Sequence, residues 1–97
     1  MSIADRTGFT PKQGQYLAFI EAYTRVMGRP PAEADMQRFF GVTPPTVHQM
    51  IVTLERDKLI SRTPRVPRSI EILIPRDLVP VLQDIPNQSV KSSVQRY

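Results

Sequence analysis

Ten prolines stand in this chain of 97 residues against four glycines, and their placement confines it to short, separately started elements. Each proline fixes its own φ, removes an amide donor and biases the preceding residue toward extended backbone, so no long helix or broad sheet can cross one. Several stand where a helix tolerates them. Thr10-Pro11-Lys12-Gln13 reads as a capping box with Pro11 at the first helical position, and apolar Tyr16, Leu17, Ile20, Tyr23, Val26 and Met27 follow at helical spacing. Gly28 ends that helix. Gly14 inside it costs about 1 kcal/mol relative to alanine, so the cap and the periodicity carry the assignment.

Arg29-Pro30-Pro31 forms an extended link to a short second helix over residues 32–40, with Glu33 and Asp35 near its start and Gly41 at its end. Its apolar side is Met36, Phe39 and Phe40. After Gly41-Val42-Thr43 a third helix starts, with Thr43 as N-cap and Pro44 and Pro45 at positions whose amides have no intrahelical partner. It runs to about Asp57. Val47, Met50, Ile51 and Leu54 make one side, while Pro45, Gln49, Val52 and Arg56 project opposite, flanked by His48 and Thr53. Its amino end, with partial positive charge and unpaired amides, suits an approach to phosphates.

Beyond Lys58 the period changes from 3.6 to 2. Residues 59–63 and 69–74 are β-type runs joined by Pro64-Arg65-Val66-Pro67-Arg68, a hairpin with a stiff basic tip. Asp77 is placed to cap a further short helix with Leu78, Val81, Leu82 and Ile85 on one face, which docks either on its own domain or on a second copy. From Pro86 the composition is that of a flexible tail. The chain divides into an arm (residues 1–9), a domain (residues 10–74) and a C-terminal extension (residues 75–97). The fold class is mainly α with a small β-hairpin, a three-helix winged helix-turn-helix.

Composition narrows the chemistry. With no cysteine and one histidine, thiolate and multi-histidine metal sites and cysteine nucleophiles are excluded, and no paired acids, nucleophile-base pair or Gly-rich phosphate loop is present. No enzyme, cofactor or small-molecule substrate is indicated. No run suits a membrane span, and the opening residues lack the apolar core of a signal peptide, which implies a cytoplasmic chain. The formal charge of +4 is unevenly placed. Residues 1–55 and 77–97 each cancel, so the whole excess lies in residues 56–76, with Arg56, Lys58, Arg62, Arg65, Arg68 and Arg76 against Asp57 and Glu71. An arginine-rich excess beside a helix with a polar outer face is the footprint of double-stranded DNA binding. Thr43, Thr46, His48 and Gln49 offer hydrogen bonds to base edges, Pro45 and the Thr46 methyl suit a thymine methyl, and Arg56, Arg62, Arg65 and Arg68 suit the backbone or minor groove. The competing reading is a winged-helix module for a protein partner.

Through Thr10-Pro11-Lys12-Gln13, Gly28-Arg29-Pro30-Pro31, Gln37-Arg38-Phe39-Phe40-Gly41, Thr43-Pro44 and Leu54-Glu55-Arg56-Asp57-Lys58-Leu59-Ile60, the sequence resembles the amino-terminal DNA-binding domain of the LexA repressor family. The resemblance implies a bacterial or phage regulator whose base-reading positions are Thr43, Pro45, Thr46, His48 and Gln49. The chain departs from the family pattern in several places. His48 and Gln49 stand where acidic residues are common, the turn before Thr43 is one residue shorter, Ala32 replaces a capping Ser or Thr, and Lys58 replaces a glycine at the start of the hairpin. These changes imply a different operator. The family's self-cleaving serine-lysine peptidase region and its Ala-Gly cleavage dipeptide have no counterpart here, which implies DNA binding without autoproteolysis. Because one monomer reads few base pairs, a homodimer through residues 77–85 is expected on DNA.

Overall fold

The computed structural model describes residues 8–83. Helix α1 (Pro11–Met27) starts as its capping box requires: Thr10 Oγ1 accepts from the Gln13 amide at 3.1 Å, and Gln13 Oε1 accepts from the Thr10 amide at 2.9 Å. It stops at Gly28, whose φ of 79° turns the chain while its amide still bonds to the Thr24 carbonyl. Helix α2 (Glu33–Phe40) ends at Gly41 with φ 67°, and three residues later α3 (Pro44–Arg56) begins. Strands β1 (Ile60–Ser61) and β2 (Glu71–Ile72) pair antiparallel, Ile60 with Ile72 and Ser61 with Glu71. A single 3₁₀ turn follows at Arg76–Leu78. The architecture is a three-helix winged helix-turn-helix.

Helix α1 runs through the middle. Gln13, Gly14 and the whole stretch from Tyr16 to Ile20 are buried, because α2 and α3 pack on one side and β2 with the chain beyond it on the other. Phe9, Met36, Val47, Ile51, Leu54, Leu59, Ile60 and Ile70 complete the core. Four aromatic rings link α1 to α2: Tyr16 stacks on Phe40 at 4.0 Å and Phe19 on Phe39 at 4.6 Å between centroids, with Phe39 and Phe40 edge to face. Val26 and Met27, expected on the buried face, project into solvent at 79% and 53% exposure, since the last turn of α1 extends past the elements that cover its middle.

The end of α3 accounts for Lys58. Its φ is +62°, its amide bonds to the Glu55 carbonyl and the Leu59 amide to the Leu54 carbonyl, both at 3.0 Å. That is the Schellman pattern, in which the position Lys58 occupies usually belongs to glycine. Lysine adopts the same backbone here and Leu59 drops into the core behind it.

Two expectations need correction. The β runs over 59–63 and 69–74 pair for only two residues each, because Pro64 and Pro67 supply no donors and Arg65 and Arg68 take left-handed φ of 67° and 57°. A turn closed by the Val66 amide on the Thr63 carbonyl forms the tip, and the Ser69 hydroxyl takes over from the missing ladder: it accepts from the Thr63 amide at 2.9 Å and donates to the Val66 carbonyl at 2.8 Å. The helix expected from Asp77 is only the 3₁₀ turn, since Pro80 removes a donor and holds Val79 extended (ψ 125°). The chain then crosses α1 as a strap. Gln15 acts as a strand partner for it, its side-chain amide donating to the Val81 carbonyl at 3.0 Å and accepting from the Gln83 amide at 2.8 Å. Val79 and Leu82 pack on the core, so of the two roles expected for this segment the intrachain one is present. Ile85 and the expected tail lie outside the described residues.

The strap also explains the glycine inside α1. A Cβ on Gly14 would stand 3.0 Å from both Phe9 Cε1 and Pro80 Cγ. Gly14→Ala should therefore fail to deliver the roughly 1 kcal/mol that helix propensity promises. Urea unfolding is expected to show a midpoint at or below that of the wild type, and Gly14→Leu should lose about 2 kcal/mol.

Candidate nucleic-acid interface

Helix α3 is held from behind and open in front. Val47, Ile51 and Leu54 are buried, whereas Thr43, Pro45, Thr46, His48 and Gln49 are all exposed along one face. The face extends through Thr53, whose hydroxyl donates to the Gln49 carbonyl at 2.9 Å. Thr43 is the N-cap, but its hydroxyl lies 2.9 Å from the Thr46 hydroxyl and makes no bond to a helix amide. Pro44 and Pro45 carry no N–H, and the Val47 amide is spent on the Thr43 carbonyl at 3.2 Å. The expected row of unpaired amides is thus reduced to those of Thr43 and Thr46. Side chains, rather than the helix end, carry the polar chemistry of this face.

The basic residues beside it fall into three groups. Arg65, at the hairpin tip, is exposed and has no ion-pair partner among the described residues; Lys58 is in the same state. Arg56 lies against Asp57 at 3.2 Å and Arg62 against Glu55 at 3.1 Å, partly exposed pairs of small energetic weight that can exchange partners. Arg68 is different. Its guanidinium donates to the Tyr23 hydroxyl at 3.0 Å and the Pro30 carbonyl at 3.3 Å, and meets Asp35 at 3.1 Å, so it ties the hairpin to α1 and α2.

Asp35 is the centre of that tie. One carboxylate oxygen accepts from the Ala32 amide at 2.8 Å, closing the start of α2 in place of a capping hydroxyl, and the other accepts from Arg38 at 2.6 Å. The side chain is 10% exposed. The bond from the Ala32 amide, with Arg68, Tyr23 and Arg38 adding to it, holds the carboxyl below the usual carboxylate range against the opposing effect of burial. A second clasp joins the far ends of α1 and α3: the buried Gln13 amide donates to Asp57 at 3.1 Å and is the main cause of that carboxyl's lowered pKa.

Two flanking grooves extend the surface. One, of about 350 Å³, separates the start of α2 from the hairpin, with Glu33 on one wall and Arg62, Arg65 and Arg68 on the other. The other lies between α1 and α3, where Lys12 shares a rim with Thr46 and Met50 above Tyr16 and Phe40. Lys12 and Glu33 are the residues that sequence reasoning did not place at this surface. Helical periodicity assigns each to the outside of its own helix, and only the crossing of the helices brings Lys12 beside Thr46 and Glu33 within 3.6 Å of His48. Among the described residues, no cluster of three or more His, Cys, Asp or Glu is placed to hold a metal ion, and no helix is long and apolar enough to cross a membrane.

Because the folded-state pKa of Asp35 lies below its unfolded value, its contribution to stability is complete above about pH 4 and is lost as pH falls through the lower folded value. Asp35→Asn keeps an acceptor for the Ala32 amide and removes the charge. Unfolding at pH 7 should show a loss of about 1–2 kcal/mol, and the gap between the two proteins should narrow as pH falls below about 4.

The family profile described as the LexA DNA binding domain matches residues 6–69. The LexA repressor of a Nocardioides species is 33% identical over 72 residues, covering 73% of this chain and 29% of the repressor. The LexA repressor of Thermosipho melanesiensis is 34% identical over 74 residues, covering 74% of this chain and 37% of that protein. The chain thus spans under two fifths of the length of these relatives.

Proposed function

The chain belongs to the LexA DNA-binding domain family, and on that premise we propose that it binds double-stranded DNA in a sequence-specific way, as a transcriptional regulator. The observation that carries this reading is the exposed row Thr43, Pro45, Thr46, His48 and Gln49 on a helix whose opposite side is locked in the core, with the Arg65 tip beside it. In this reading α3 enters the major groove. Gln49 pairs with adenine through its amide, and the Thr46 hydroxyl and methyl meet neighbouring base edges. Arg65, Lys58, Arg56 and Arg62 take phosphates on one side and Lys12 takes them on the other. Arg68 supports the hairpin and grips DNA only by surrendering Asp35. A protein partner in place of DNA has less support, since Val52 and Pro45 are the only exposed apolar residues of that face.

With about four to six phosphates neutralised, log affinity for a duplex should fall against log salt with a slope of about −3.5 to −5.5, and a slope near zero would contradict DNA binding. Arg65→Ala is expected to weaken all duplexes alike and reduce the slope by about one, whereas Gln49→Ala should change the preferred base at one position. Binding-site selection followed by titration at several salt concentrations separates the two effects.

A second copy on a two-fold operator supplies the affinity that one reading helix lacks. Leu78 and Val81, 44% and 83% exposed on the strap, are the surface we assign to that contact. Val81→Asp should leave the unfolding midpoint unchanged while light scattering of the DNA complex drops from two copies to one; two copies persisting would place the contact elsewhere.

A further inference from the structure

Helical spacing puts Met50 on the buried side of α3 with Val47, Ile51 and Leu54, yet those three are buried and Met50 is only half-buried. One part of it packs against the core, and another borders the exposed face. A furrow runs there between two ridges of the helix surface, Pro45-Gln49-Thr53 and Thr46-Met50, each built from residues four apart. Among the described residues no charged side chain lines it. Two of its three polar side chains are engaged within the protein: the Thr53 hydroxyl donates to the Gln49 carbonyl at 2.9 Å, and the Thr46 hydroxyl lies 2.9 Å from that of Thr43. What the furrow offers a ligand is therefore the Pro45 ring, two threonine methyls, the Met50 thioether and the exposed Gln49 amide. The groove between α1 and α3 also has Met50 in its wall, so this one side chain divides the two depressions.

We propose that Met50, with Pro45, Thr46 and Thr53, forms an apolar seat for the C5 methyl of a pyrimidine, which makes Met50 a specificity-determining residue beside the base that Gln49 reads. The proposal rests on the DNA-binding reading and deepens it. The base edges in a major groove are hydrogen-bond donors and acceptors with one apolar exception, the thymine methyl. An uncharged furrow whose hydroxyls are already engaged gains by covering that methyl, whereas any other base edge set against it loses water without gaining a partner. Methionine suits the seat. Its thioether is polarizable and adapts to an irregular contact, and the part packed on the core limits the freedom lost when the methyl arrives. The Gln49 amide pairs bidentately with adenine, so the ridge and the furrow beside it together read an adenine and an adjacent thymine. Recognition here is of the methyl and not of the whole base. Uracil lacks the group, and 5-methylcytosine carries it at the same place.

The test is binding-site selection by the full chain from a random duplex library, followed by titration of the selected duplex with one base changed at a time. Replacing thymine by uracil at one selected position should weaken wild-type binding about 3- to 5-fold, and the same exchange outside the selected site should have no effect. With a C·G pair at that position, methylating the cytosine at C5 should strengthen binding by a similar factor. Met50→Ala should bring the thymine-to-uracil ratio close to one, and Met50→Leu should keep most of it. Thr53→Ser, which retains the hydroxyl and removes only the methyl, should reduce the ratio. Should Met50→Ala fail to fold, the uracil exchange on the wild type and the Thr53→Ser ratio decide alone. Equal affinity for thymine and uracil at every selected thymine, or a full ratio retained by the folded variants Met50→Ala and Thr53→Ser, overturns the proposal while leaving DNA binding intact. No enrichment of any sequence overturns the reading of sequence-specific DNA binding itself, and this inference with it.

Discussion

The placement of the hairpin relative to the helix-turn-helix depends on the Asp35 carboxylate. It closes the first turn of α2 through the Ala32 amide and receives Arg68, whose guanidinium also holds the Tyr23 hydroxyl and the Pro30 carbonyl. Four segments thereby share one polar node: the later turns of α1, the Pro30-Pro31 link, the start of α2 and the end of the hairpin tip. A two-residue strand pair alone cannot fix a hairpin's direction, because so short a ladder is marginal in water. The direction comes as well from Ile60 and Ile70, which are buried in the core, and from Arg68, which takes a left-handed backbone and meets Asp35. Gln13 and Asp57 do for the opposite end of the domain what Asp35 and Arg68 do here, binding the start of α1 to the end of α3. Helix α3 itself is held by that second clasp at its end and by the buried Val47, Ile51 and Leu54 along its inner side.

The helices were legible in the sequence because their start and stop signals are local. Thr10 to Gln13, Gly28, Gly41 and the Pro44-Pro45 pair act within a few residues, and the structure places the boundaries where those signals put them. What escaped depends on partners far along the chain. Arg68 looked like a free wing cation because Tyr23, 45 residues away, gives no sequence signal of its proximity. The strap looked helical because its apolar spacing is helical, whereas Gln15, 66 residues upstream of Val81, supplies the hydrogen bonds that keep it extended. Gly14 looked like a cost because the strap and Phe9 that need its space are invisible to helix propensity. The outward row from Thr43 to Gln49 was legible as a list of exposed positions, and Glu33 was not, since its proximity to His48 is created by the crossing of α2 and α3.

The same distinction revises the meaning of the net charge. Counted along the chain, the +4 belongs wholly to residues 56–76. In space, carboxylates from the neutral part reach into that stretch: Glu55 to Arg62, Asp35 to Arg68 and Glu21 to Arg76. The field at the hairpin is therefore weaker than the sequence count and is concentrated at its tip, on Arg65, and at the end of α3, on Lys58. Lys12, from the part that sums to zero, lines the groove between α1 and α3 together with Thr46 and Met50 and adds a cation beside the exposed row that the local charge count does not include.

Two prolines at the start of α3 push the chemistry further in that direction. A helix N-terminus ordinarily offers several amides to an anion, and Pro44 and Pro45 remove two of them while the macrodipole remains. Thr43 and Thr46 bond to each other at 2.9 Å, which orients their hydroxyls and keeps either from folding back onto the helix. Backbone amides grip any phosphate alike and carry no sequence information. Side chains at the same place distinguish bases. In the proposed complex, exchanging amides for a side-chain-bearing first turn would lower non-specific grip at that end of the helix and leave affinity to the lysines and arginines at the flanks.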